Sequence, residues 1–79
     1  MAQTVRFFAA ARAAAGRAEQ PAEAPTLDAL LGGLAAQNDQ LATVLTRCSF
    51  LVDGLAWHDR SAPLPPAATV DVLPPFAGG

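Results

Sequence analysis

Side chains able to act as nucleophiles or bases are few in this sequence and poorly placed for one another. There is one cysteine, Cys48, and one histidine, His58, with no lysine and no tyrosine. A lone cysteine excludes an internal disulfide and a cysteine-based metal cluster, and a lone histidine excludes a histidine-rich metal site. Cys48 and His58 stand ten residues apart with no evident third group to orient them, and the missing lysine removes the Schiff-base nucleophile. The expectation is a protein with no catalytic residues of its own, no metal and no bound cofactor. One reactive group remains, the terminal carboxyl of Leu73-Pro74-Pro75-Phe76-Ala77-Gly78-Gly79.

That ending has a physical logic. Two prolines stiffen the exit from the preceding strand and favour an extended path of about 3.1 Å per residue. Pro74 to Gly79 can therefore project up to about 20 Å. Gly78 and Gly79 have no Cβ, so the tip fits a channel too narrow for any other residue. The carboxyl of Gly79 ionises near pKa 3.5, and as a carboxylate it is a poor electrophile. An ATP-dependent partner has to convert it to an acyl adenylate before sulfur or an amine can attack.

The elements that must hold this tail are legible in the residue pattern. Thr4–Ala9 reads as a strand with Val5, Phe7 and Ala9 on one face and Arg6 and Phe8 on the other. Ala10–Ala15 reads as a short helix closed by Gly16. Arg17–Pro25 carries at most a short edge strand. Thr26 is an expected N-cap, with Asp28 in the first turn of a helix whose stripe is Leu27, Leu30, Leu31, Leu34, Leu41 and Leu45. Asn38 and Asp39 interrupt that stripe, so a break there is expected, resuming over Gln40–Thr46. Ser49–Val52 and Leu55–Trp57 flank Asp53-Gly54, a strong hairpin signal. His58–Pro66 reads as a surface loop, and Thr69–Leu73 as the last strand, with Val70 and Val72 inward. Arg6 and Asp71 project outward and are expected to pair. The pattern implies an α+β domain with one sheet face packed on a helix.

Composition sets the scale. The chain has 79 residues, of which 52 % are hydrophobic, but alanine fills 19 of those positions. About 21 bulky apolar side chains remain, enough for one modest core and too few for an enzyme with a deep pocket. Net charge is −2. That balance gives no electrostatic footprint for nucleic acid. No apolar run approaches the length of a membrane span and no leader pattern is present, so a cytoplasmic location is expected.

The element order, the opening Phe7-Phe8-Ala9 with its Ala/Arg helix, and above all Pro74-Pro75-Phe76-Ala77-Gly78-Gly79 resemble the MoaD/ThiS family of ubiquitin-like sulfur carriers. The Pro-Pro-Phe-Ala lead-in is most similar to the MoaD branch, small subunits of molybdopterin synthase. The resemblance implies a β-grasp fold, a mixed sheet of four or five strands on one main helix. It implies a domain over residues 1–75 and a flexible tail over 76–79. In function it implies that a MoeB-like enzyme adenylates Gly79 with ATP and magnesium, and that a sulfurtransferase supplies the sulfur of a Gly79 thiocarboxylate. The tail, from Pro74 and Pro75 through Phe76, Ala77 and Gly78, then inserts into a MoaE-like large subunit to build molybdopterin. Delivery to cysteine, thiamine or a specialised metabolite stays open, as do ubiquitin-like attachment to other proteins and an inert terminus.

In β-grasp topology the first and last strands are parallel neighbours. Phe8, Leu73 and Phe76 are then expected to form an apolar docking patch at the root of the tail. Cys48 is read as a small hydrophobe rather than a sulfur relay. Trp57 fits either the core or the docking surface, and His58 is expected in solvent.

Overall fold

The computed structural model describes residues 2–75. Along the chain run β1 (Gln3–Phe7), α1 (Ala9–Ala15), β2 (Glu19–Ala22), α2 (Leu27–Ala35), α3 (Asp39–Leu45), β3 (Ser49–Val52), β4 (Leu55–Ala56) and β5 (Thr69–Leu73). The five strands form one mixed sheet in the order β2-β1-β5-β3-β4. β1 and β5 lie parallel at its centre, with Val5 opposite Val70 and Phe7 opposite Val72. The other pairings are antiparallel. This is the ubiquitin-like β-grasp expected from the sequence.

Period-two alternation gives the sheet one apolar face. Val5, Phe7, Phe50, Val52, Val70 and Val72 point inward and are buried. Against them pack Leu27, Leu30, Leu31 and Leu34 of α2, Leu41 and Leu45 of α3, and Ala11 of α1. The predicted leucine stripe is therefore the real one. It is carried by two helices, because Asn38 turns the chain between them.

Asn38 makes that break stable. Its Oδ1 accepts from the Leu41 amide at 2.6 Å, capping α3, and its Nδ2 donates to the Ala14 carbonyl at 3.2 Å. One side chain thus caps a helix and pins the C-terminal end of α1 beside the N-terminal end of α3. The two helices run antiparallel. Loss of the cap and the link in Asn38→Ala should cost about 1–2 kcal/mol, measured as a shift in the urea midpoint with unchanged slope.

Thr26 Oγ1 accepts from the Ala29 amide at 3.1 Å, the expected N-cap. Asp53 and Gly54 both take left-handed φ values, 50° and 82°, as a type I′ hairpin turn demands. The Asp53 carboxylate also accepts from the Thr69 amide at 2.9 Å, tying the hairpin to the start of β5. The edge strand β2 is fastened by buried Gln3, whose amide donates to the Ala24 carbonyl at 2.7 Å and accepts from its amide at 3.0 Å.

Two readings change. The first strand ends at Phe7, and Ala9 opens α1 with a φ of 49° instead of continuing the inward face. Seven consecutive residues of Ala/Arg type favour helix strongly, and the Phe8 carbonyl accepts from the Ala11 amide at 3.0 Å to start it. The stretch after Trp57 is not all surface. Leu64 is buried, and its amide donates to the Pro25 carbonyl at 2.9 Å, clamping this loop over the start of α2.

Candidate functional site

Strands β1 and β5 both run toward one rim of the sheet, where β5 passes into Pro74 and Pro75. Neither proline can donate to a ladder, so pairing ends there. Pro74 is buried and Pro75 exposed. Pro74 is thus part of the domain, and the segment free to project starts no earlier than Pro75. Phe76, Ala77, Gly78 and Gly79 lie outside the described residues.

The sheet face turned away from the helices carries the outward residues of the central strands. Register sets Arg6 opposite Asp71, and Arg6 Nε lies 3.3 Å from Asp71 Oδ1. No well-aligned hydrogen bond reaches that buried oxygen, so the contact is an ion pair on a half-exposed face. It contributes under about 1 kcal/mol. The Arg6 guanidinium also stands 5.3 Å from the Phe8 ring centroid. Phe8 follows Arg6 and Leu73 follows Asp71 by two residues each, which brings both to the rim on this open face. Both are half-buried. The third residue expected in that patch, Phe76, is not among the described ones.

The large apolar side chain most open to solvent among the described residues is Leu55, 67 % exposed on the β3–β4 hairpin. Trp57 packs against the core, half-buried, with its indole Nε1 enclosed and unpartnered among the described residues. Cys48 is half-buried as well. Its Sγ donates to the Val44 carbonyl at 3.2 Å, and burial pushes its thiol above the ordinary value. A thiol held protonated in this way is a weak nucleophile. His58 is exposed. Trp57 and His58 follow β4 at the other edge of the sheet, while Cys48 directly precedes Ser49, the residue paired with Leu73 at the root of the tail.

A feature the sequence did not announce sits beside Pro74. A groove of about 390 Å³ opens between Ala9 and Ala10 of α1, Thr43 and Val44 of α3, Arg47 and the two prolines. It exists because α1 and α3 are antiparallel, so the first turn of one faces the last turn of the other. The interruption at Asn38 was its available signal: once α3 is a separate helix, Thr43, Val44 and Arg47 fall on one end of it.

The profile of the ThiS family matches residues 5–79, the Gly-Gly ending included. The chain belongs to the ThiS family. No curated protein sequence matches it. Among solved structures, a chain of the complex of subunits 1 and 2 of molybdopterin-converting factor from Helicobacter pylori is similar at a TM-score of 0.77 and 24 % identity, over 100 % of both chains. A putative molybdopterin converting factor subunit 1 from Pyrococcus furiosus reaches 0.83 at 20 % identity, over 95 % of this chain and 98 % of that one. The small archaeal modifier protein 1 from Methanosarcina acetivorans reaches 0.83 at 21 % identity, over 100 % and 99 %. These likenesses show a shared ubiquitin-like fold. Among the described residues, no helix is long and apolar enough to cross a membrane.

Proposed function

We propose that this chain is the sulfur-carrying small subunit of a molybdopterin synthase, acting in the cytoplasm through the carboxyl group of Gly79. The observation that supports this most is the family match running through Gly79, on a fold whose central strand leads straight into Pro74-Pro75. The Gly79 carboxylate attacks the α-phosphate of ATP on a MoeB-like enzyme, releasing pyrophosphate and leaving an acyl adenylate. Persulfide sulfur from a sulfurtransferase attacks that carbonyl and expels AMP. A thiol then cleaves the resulting sulfur–sulfur bond and frees the thiocarboxylate. This chain contributes geometry, a glycine tip that passes a narrow channel and an open sheet face to dock on. The reacting side chains belong to its partners.

Electrospray mass spectrometry tests the reading. Incubated with an adenylating enzyme, ATP, magnesium and a sulfur donor, the chain should gain about 16 Da, oxygen replaced by sulfur at its end. With a MoaE-like subunit, the charged form should convert cyclic pyranopterin monophosphate to molybdopterin. A mass gain without that conversion moves the acceptor to cysteine, a thiazole or another metabolite. Covalent ladders on other proteins favour a modifier role, which the likeness to an archaeal modifier keeps in view. No gain at all overturns the proposal.

The open-face patch gives a second check. Leu73→Asp puts a carboxylate beside Asp71 on a half-buried surface position, so folding survives while docking suffers. Affinity for the large subunit should fall by more than about fivefold, the cost of losing an interface anchor of about 1 kcal/mol or more. Unchanged affinity in a calorimetric titration removes Leu73 from the interface.

A further inference from the structure

The groove beside Pro74 does not stand alone. A second hollow, lined by Ala13 and Ala14 of α1 and Gln40 of α3, shares Ala10, Thr43 and Val44 with it, so the two run together as one furrow between the helices. Its lining is mostly methyl groups, and Asn38 fixes its two walls by joining α1 to α3. Arg47 stands at the end beside Pro74 and Pro75. Arg12 and Arg17 line a further hollow against α1, which shares Ala9 with the groove. All three arginines are exposed, and among the described residues Arg6 alone is in an ion pair. The chain is acidic overall, at −2, yet none of its seven acidic side chains lines any of these hollows. The helix side of the tail root is therefore an apolar furrow with a cationic border.

This furrow lies on the opposite side of the sheet from the open face that carries Phe8 and Leu73, so the tail root can be approached from two sides. Sulfur loading needs both. An acyl adenylate hydrolyses once water reaches it, so the sulfur donor has to arrive while the activating enzyme still holds the carrier. With the open face covered by that enzyme, the helix side is the one left. Given the sulfur-carrier function proposed above, we propose that the furrow docks the sulfur-donating protein, through a segment that presents an apolar side chain between carboxylates. The apolar group fills the furrow and the carboxylates meet the arginine border, an attraction stronger beside an apolar floor than in open water. The docked donor's persulfide sulfur forms a bond to the Gly79 carbonyl carbon as the bond to AMP breaks, and AMP leaves with the electron pair. A second copy of this chain is a poorer occupant. Offering its acidic side to this basic one is a head-to-tail contact, which closes only in a ring and otherwise grows filaments.

Two rates on the full chain separate activation from sulfur transfer. Pyrophosphate release with the activating enzyme, ATP and magnesium reads the first. Thiocarboxylate formation, followed by mass spectrometry against the concentration of a persulfide-loaded sulfurtransferase, reads the second. Arg47→Glu reverses the border charge and Ala10→Gln fills the furrow, both at exposed positions where the fold survives. Each should raise the KM for the sulfurtransferase at least about tenfold and leave pyrophosphate release at the parent rate. Arg60→Glu makes the same charge change at an exposed arginine of a different hollow, beside β3 and β4, and should alter neither rate. Raising the ionic strength from about 0.05 M to about 0.3 M should raise the KM of the parent more than that of Arg47→Glu. An unchanged KM in Arg47→Glu and Ala10→Gln, an equal rise in Arg60→Glu, or a matching loss of pyrophosphate release overturns the docking assignment. So does a parent dimer in sedimentation that Arg47→Glu dissolves, which gives the furrow to a second copy. A parent chain that releases no pyrophosphate refutes the sulfur-carrier function itself, and the docking assignment falls with it.

Discussion

Deleting Gly79 should leave the thermal transition of this protein where it is and eliminate the mass gain on incubation with the activating system. The two halves of that result have separate causes. The buried core runs from Val5 to Val72, and the deletion touches none of it. The new terminus, Gly78, is chemically the same group, a glycine carboxylate. What changes is position, because the reacting carbonyl is withdrawn by one residue, about 3.3–3.6 Å. A misplacement of about 1 Å already costs about 100-fold in a positioned reaction, so adenylation should fall by at least that factor. The control is a chain carrying Gly79→Ala, which keeps the length and adds one Cβ. If reach dominates, that variant is adenylated faster than the truncated one. If the truncated chain accepts AMP at the parent rate, the length of the tip does not matter to the activating enzyme.

The parts of this arrangement that could be read from the residues are those where a local rule and the fold agree. Asp53-Gly54 demands a turn with two positive φ values and receives one. Thr26 precedes a leucine stripe and caps it. Thr69–Leu73 alternates, and the structure keeps both its bounds and its inward valines. Reading stops where contacts between distant residues decide. Asn38 looks like an interruption in one helix until its second hydrogen bond, to Ala14, shows that it joins two. Leu64 is an isolated leucine among prolines and alanines, and only the loop's closure over Pro25 makes it core. Pro74 looks like the first joint of a free arm, yet it is buried as a wall of the groove. The proposed site was legible as a terminus because glycine and proline carry their meaning locally. The groove was not, since it belongs to the space between two helices that the sequence presents as parts of separate stripes.

Leu41→Ala should lower stability by about 2–5 kcal/mol, the range for emptying a fully enclosed leucine site. Leu41 is 0 % exposed and belongs to the core cluster. For a 79-residue domain, total stability of the ordinary kind is about 4–12 kcal/mol, so the loss is a large fraction of it. At about 4–8 °C per kcal/mol for a domain of this size, the melting temperature should drop by at least about 8 °C. Leu55→Ala is the matched control, the same change at a side chain 67 % exposed, and should stay within about 0.5 kcal/mol of the parent. The contrast has functional content because Leu41 lies two residues before Thr43 and three before Val44, which wall the groove at the tail root. If α3 is held by its leucines, Leu41→Ala both melts early and blurs that groove, and amide exchange over Asp39–Leu45 should rise before exchange in β1 and β5. Equal melting of the two variants would mean that α3 rests on the sheet without being packed into it, and a groove built from such a helix could not hold a fixed shape beside the tail.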